Sequence, residues 1–149
     1  MLVWAGFIAW GCYFLSGADS KALTRTIAGT CYGALIGWTA LLLLVNTSVP
    51  AFGLAWPAIL IGLTVFLLVI VAPINLLSLV PANIYGYVAI VAYSLHQPSA
   101  QPGIGPLRNL TSRSISNPLI LLIVSLASGA VFGLFSGKLA GVLTRNPQA

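Results

Sequence analysis

Acidic side chains are almost absent. Asp19 is the only carboxylate in 149 residues. Hydrolysis by a carboxylate pair is therefore excluded, and so is a metal site built on Asp or Glu. His96 is the only histidine, and Cys12 and Cys31 lie far from it in the chain. Zinc needs three or four protein ligands, so none is expected. The cysteines form no C-x-x-C motif. Both sit in apolar stretches and read as small buried hydrophobes. No ionisable residue lies inside a clearly apolar run except near its ends. Proton-coupled transporters place Asp, Glu or His within their spans. Intramembrane chemistry would require a nucleophile–base pair there. No enzyme activity, cofactor or metal is expected. The six cations, Lys21, Arg25, Arg108, Arg113, Lys138 and Arg145, are spread over segment ends and loops. No cationic stripe exists, so nucleic acid is not an expected partner.

What is present is apolar bulk. The chain is 59% hydrophobic and 5% charged, against about 45–50% and about 25% in soluble domains. It cannot cover its own surface with polar groups. It is also too hydrophobic for a disordered segment. The expected fold is all-α, a polytopic membrane helical bundle with the lipid bilayer as its solvent. Met1–Leu15 lacks the basic start of a signal peptide, so it belongs to the bundle.

About five apolar segments follow from the pattern. The first, 1–15, would rise only about 22 Å as a helix, short of about 30 Å of hydrocarbon. A polar turn, Ser16–Lys21, comes next, where Asp19 or Ser20 can cap a helix. Residues 26–45 are long enough to span. They carry Gly29, Gly33 and Gly37 on one face, a small-xxx-small surface for close helix contact. Residues 52–72 form another full span, with Pro57 in its first turns. Residues 74–95 are broken at Pro81 and Asn83, which predicts a bend and then a short helix, Ile84–Leu95. This segment is read as crossing, or as re-entrant. The polar loop 97–116 holds Pro98, Pro102 and Pro106 and is expected to lack regular structure. Residues 118–143 form the last span, with Gly129, Gly133, Gly137 and Gly141 at spacing four. All of this lies in a single domain, 1–149.

A self-similarity links the halves. Gly6-Phe7-Ile8-Ala9 and Tyr13 recur as Gly86-Tyr87-Val88-Ala89 and Tyr93, at an offset of 80. Gly33-Ala34-Leu35-Ile36-Gly37 recurs as Gly129-Ala130-Val131-Phe132-Gly133, at an offset of 96. The unit reads as a short helix followed by a glycine-faced span. With five crossings the two units are inverted, an internal repeat. Residues 52–72 precede the second unit, so a complete first unit calls for a further N-terminal span. Paired short segments in two halves are a pointer to a transport site.

The runs WAGFIAWGCYFLSGADSKAL, LVPANIYGYVAIVAYSL and SLASGAVFGLFSGKLAGVL resemble an uncharacterised bacterial inner-membrane family, the domain of unknown function 1097. The resemblance covers Val3–Leu143 apart from loop 97–116. It implies the bacterial inner membrane as location. It also implies one more span before the Trp-Ala-Gly-Phe segment than this chain carries. It brings no activity and no catalytic residue.

If both short segments cross, Lys21, Arg25, Lys138 and Arg145 fall on one side, and Arg108 and Arg113 on the other. Four against two makes the first side cytoplasmic, with the N-terminus outside and the C-terminus inside. A re-entrant second segment gives the same count with the tail outside. Asn46-Thr47-Ser48 and Asn109-Leu110-Thr111 match the glycosylation pattern, a coincidence in a bacterial-looking chain. Two functions remain. One is a passive channel or carrier for a small neutral solute, lined by Tyr13, Tyr87, Tyr93 and His96. The bland alternative for these residues is interface belting and helix packing. The other function is a non-catalytic subunit of a larger membrane assembly, a homo-oligomer or a complex with other membrane proteins, joined through its glycine faces.

Overall fold

A computed structural model describes residues 1–47, 52–53, 55–96 and 105–143. Among these the regular elements are all helical: α1 (Val3–Leu15), α2 (Ser20–Asn46), α3 (Ala55–Ile70), α4 (Val80–Leu95) and α5 (Pro118–Leu143), with a 3-10 turn at Gly105–Asn109 between the last two. Two of them, α2 and α5, are long and apolar enough to cross a membrane.

Local chemistry sets the ends. Gly17 (φ +104°) and Ala18 (φ +55°) turn the chain in the left-handed region. The Tyr13 hydroxyl holds that turn by donating to the Ala18 carbonyl at 2.6 Å. Asp19 then caps α2, its carboxylate accepting from the Ala22 amide. The helix therefore starts at Ser20, earlier than the apolar run, and carries Lys21 and Arg25 in its first turns. Pro81 does not break a helix after a bend. It sits in the first turn of α4, where its missing N–H is one of the unused donors. The helix accordingly begins at Val80 and not at Ile84. Within the polar loop expected to lack regular structure, Gly105–Asn109 forms a 3-10 turn. Residues 97–104 of that loop lie outside the described residues.

Glycine decides which helices meet. On α2, a Cβ at Gly33 would overlap the Asn83 carbonyl of α4. One at Gly29 would lie 2.7 Å from the Ala82 Cβ, and one at Gly37 2.6 Å from the Ile90 Cγ2. From the other side, a Cβ at Gly86 would overlap the Thr30 carbonyl. These contacts advance together along both chains, so α2 and α4 run parallel. The same device joins α1 to α5. A Cβ at Gly129 would overlap the Gly6 backbone, and one at Gly133 would lie 2.8 Å from the Tyr13 ring. Gly137 makes ordinary contact with Phe14, and Gly141 meets nothing within 4 Å. These two helices also run parallel. The closest packing of α1 and of α4 is thus on a long helix that is not next to it in sequence.

Between the pairs lies one apolar core of Ala5, Ala9, Leu41, Ala89, Ile90, Leu110, Leu122, Leu126 and Ala130. α3 runs antiparallel along the outside of the α2–α4 pair, marked by bonds from Tyr32 to the Leu67 carbonyl and between Thr64 and Tyr87.

Gly33→Leu and Gly86→Leu are expected to destabilise the bundle by about 1–3 kcal/mol or more, because overpacking forces the backbones apart. Gly62→Leu, with open space around it, is expected to be near neutral. Thermal unfolding in mild detergent checks the contrast.

Candidate functional site

Buried polar residues occur on α2 (Thr26, Thr30), α3 (Thr64) and α5 (Ser125) as well as on α4, and α4 carries a stripe of them on one face. Asn83, Tyr87 and Ser94 lie on one stripe of that helix (i, i+4, i+11). Asn83 and Ser94 are fully buried and Tyr87 nearly so. The amide of Asn83 donates to the Leu68 carbonyl at 3.1 Å and to the Leu77 carbonyl at 3.0 Å. It ties α4 to the end of α3 and to the connection between them. Its Oδ1 finds no partner among the described residues, and neither does Ser94 Oγ. The Thr64 hydroxyl can donate to the Leu60 carbonyl of its own helix at 2.9 Å. The Thr64 and Tyr87 hydroxyls lie 2.9 Å apart, and either can be the donor. Beside Tyr87 is a cavity of about 20 Å³, bordered by Leu41, Leu60, Val91 and Leu95. That is room for about one water.

The four sequence-chosen lining residues occupy four different settings. Tyr13 is buried between α1 and α5, and its hydroxyl is used on the turn after α1. Tyr87 faces α3. Tyr93 is half-buried against the apolar core. His96 is the exposed C-cap of α4. Only Tyr87 borders the small cavity. Between the two short helices the centre is apolar, filled by Ala5, Ala9, Ala89 and Ile90 at 0–2% exposure. In the sequence Asn83 reads as an interruption, and no pattern singles out Thr64. An Asn inside an apolar run was the available signal. The expected packing glycines lay on the long helices alone. Gly6 and Gly86 were visible as the matched glycines of the repeat.

A second feature faces outward. The α1–α5 pair carries an apolar groove of about 250 Å³ lined by Met1, Val3, Phe7, Trp10, Gly129 and Phe132. Phe7 and Trp10 stack there with centroids 5.6 Å apart. On the other pair, α3 covers the corresponding face.

The family described as "Protein of unknown function (DUF1097)" matches residues 1–141. The chain belongs to this family. The match runs through the polar loop as well as the apolar segments. No curated protein and no solved structure matches the chain. Family membership therefore brings no activity with it, and function has to be argued from the packing itself.

Tyr87→Phe removes the hydrogen bond to Thr64. About 0.6 kcal/mol is expected, the average for such a bond in a membrane bundle. Asn83→Leu is expected to cost more, since it removes one bond to α3 and one to the connection between α3 and α4, and its side chain must fit against Gly29. Unfolding midpoints in detergent compare the two.

Proposed function

We propose that this chain is a multi-pass protein of the bacterial inner membrane and acts as a non-catalytic subunit that packs against a further apolar helix. The membrane setting is supported by what faces outward. Phe7, Phe66, Phe132 and Phe135 are 58–65% exposed, an apolar surface that a soluble monomer does not carry. The most apolar windows of α2 and α5 are only 39% and 33% buried, whereas a soluble core helix is mostly enclosed. Both short helices run alongside long ones, which supports crossing over re-entry. Lys21 and Arg25 then share one end of the bundle with Lys138. Arg108 and Arg113 lie at the other end, and Arg145 lies outside the described residues. The excess at the first end supports a cytoplasmic assignment for it.

The observation that carries the subunit reading is the apolar centre together with the uncovered α1–α5 groove. The exchange of partners between halves supports an inverted repeat, in which α1 corresponds to α4 and α5 to α2. In that relation α3 covers one pair, and the groove on the other is its counterpart. The occupant is one apolar helix running antiparallel to α1, as α3 does to α4. The positions equivalent to Asn83 and Tyr87 are Val3 and Phe7, so this helix needs no polar side chain.

Passive permeation of a small neutral solute is the second reading. It is favoured by one observation, the unpaired Asn83 Oδ1 and Ser94 Oγ on one buried face. Such atoms can pair with a polar solute.

Native electrophoresis of gently solubilised membranes is expected to show an assembly larger than the 15.5 kDa chain. Phe7→Ser with Phe132→Ser is expected to break it, while Phe66→Ser on the outer face of α3 leaves it whole. A free monomer throughout overturns the subunit reading. Liposomes with the purified chain are expected to pass water and glycerol no faster than empty vesicles. Faster flux, lost in Asn83→Leu, decides for permeation instead.

A further inference from the structure

We infer that the bundle binds a phosphate-bearing anion at the end where α2 begins. A cavity of about 320 Å³ opens there between Lys21, Thr24 and Arg25 of α2 and Asn75 and Leu76 of the segment after α3. Lys21 and Arg25 are one helical turn apart and share this opening. The argument is one of hydrogen-bonding capacity. The Arg25 guanidinium donates to Asn75 Oδ1. A guanidinium has no acceptor, so the amide must present its oxygen to it. What Asn75 has left is its NH₂, a donor. The Thr24 hydroxyl gives its proton to the Ser20 carbonyl and keeps only its lone pairs. Lys21 adds an ammonium and Arg25 its remaining N–H groups. Apart from the Thr24 oxygen, the side-chain polar groups left open in the cavity are donors, two of them on cations.

Little in the chain neutralises them. Asp19 is the only acid, and its carboxylate caps α2 through the Ala22 amide. Asn75, the partner of Arg25, carries no charge. A doubly cationic cavity in which donors predominate fits a ligand that is anionic and rich in acceptors. A phosphate group meets both conditions, and a guanidinium fork matches its oxygens. The rim adds a preference. Ile74 and Leu76 are about half exposed beside the opening, where acyl chains of a lipid would lie. The lipid source rests on the membrane reading above. A free phosphate does not.

Native mass spectrometry of the full chain in a neutral detergent tests this, with phosphatidylglycerol, phosphatidylcholine and inorganic phosphate as separate probes. Phosphatidylglycerol is expected to bind more tightly than phosphatidylcholine. Lys21→Gln with Arg25→Gln is expected to weaken phosphatidylglycerol roughly tenfold or more, given about 1 kcal/mol for each cation near an anionic lipid. Arg108→Gln with Arg113→Gln, at the other end, is expected to leave it unchanged. Displacement by millimolar inorganic phosphate, with no preference between the lipids, keeps the site and assigns it to a soluble phosphate. The site is overturned if no probe depends on Lys21 and Arg25, or if the Arg108 and Arg113 pair matters equally. Unfolding midpoints confirm that the variants are folded. Loss of assembly without loss of anion binding separates this site from the subunit reading.

Discussion

The bundle depends on backbone meeting backbone at glycine. At Gly33 and Gly86, helices α2 and α4 approach until a methyl group has no room. At Gly129, α5 meets the Gly6 backbone of α1 in the same way. On the membrane reading proposed above, burying leucine against leucine gains little, because lipid tails are equally apolar. What remains is dispersion between closely fitted surfaces and hydrogen bonds kept from competing water. Small residues provide the first, since they allow long stretches of backbone to touch. The rest of the arrangement follows. The glycine faces select the partners, the partners set the central apolar core, and the core leaves α3 on one flank.

Polar residues work at the edges of this packing. Asn83 holds the end of α3 against α4 through two carbonyls. Asn117 does comparable work at the start of α5, donating to the Leu110 and Ser112 carbonyls and accepting from the Leu119 amide. Trp38 reaches the Leu110 carbonyl at 2.8 Å and anchors the polar segment to α2. Each bond satisfies a carbonyl that a helix end or a connection would otherwise leave open, which matters most where water is scarce. The uncovered face of α1–α5 and the cationic mouth at Lys21 and Arg25 are the two proposed contact surfaces among the described residues. One is apolar and the other is cationic, so they suit different partners.

Much of the local structure was legible. The turn after α1, a cap at Asp19 or Ser20, the helical character and the close-packing faces at Gly29, Gly33, Gly37, Gly129 and Gly133 follow from residue type and spacing; the full span expected over 52–72 is instead the shorter α3, 16 residues long. Pro81 misled because proline ends one helix as readily as it starts another. Only the register of the following helix showed that it starts one. Tyr13, Tyr87, Tyr93 and His96 share chemistry but no location. Aromatic and polar identity does not specify which neighbour a helix face meets. Asn83 was visible as an anomaly, and its role was not, because its partners are carbonyls far along the chain.

By itself the sequence determined that the chain is helical, apolar, nearly free of acid and faced with glycine at helical spacing. These are local properties, set by composition and by the 3.6-residue period. Only the tertiary structure decided which glycine face meets which helix. The glycine-packed partners are not neighbours in sequence: α1 pairs with α5 and α4 with α2. A stripe of small residues says that a helix will approach closely, and it carries no address. The address comes from fit along the whole face, a sum over many contacts that exists only once the bundle is assembled.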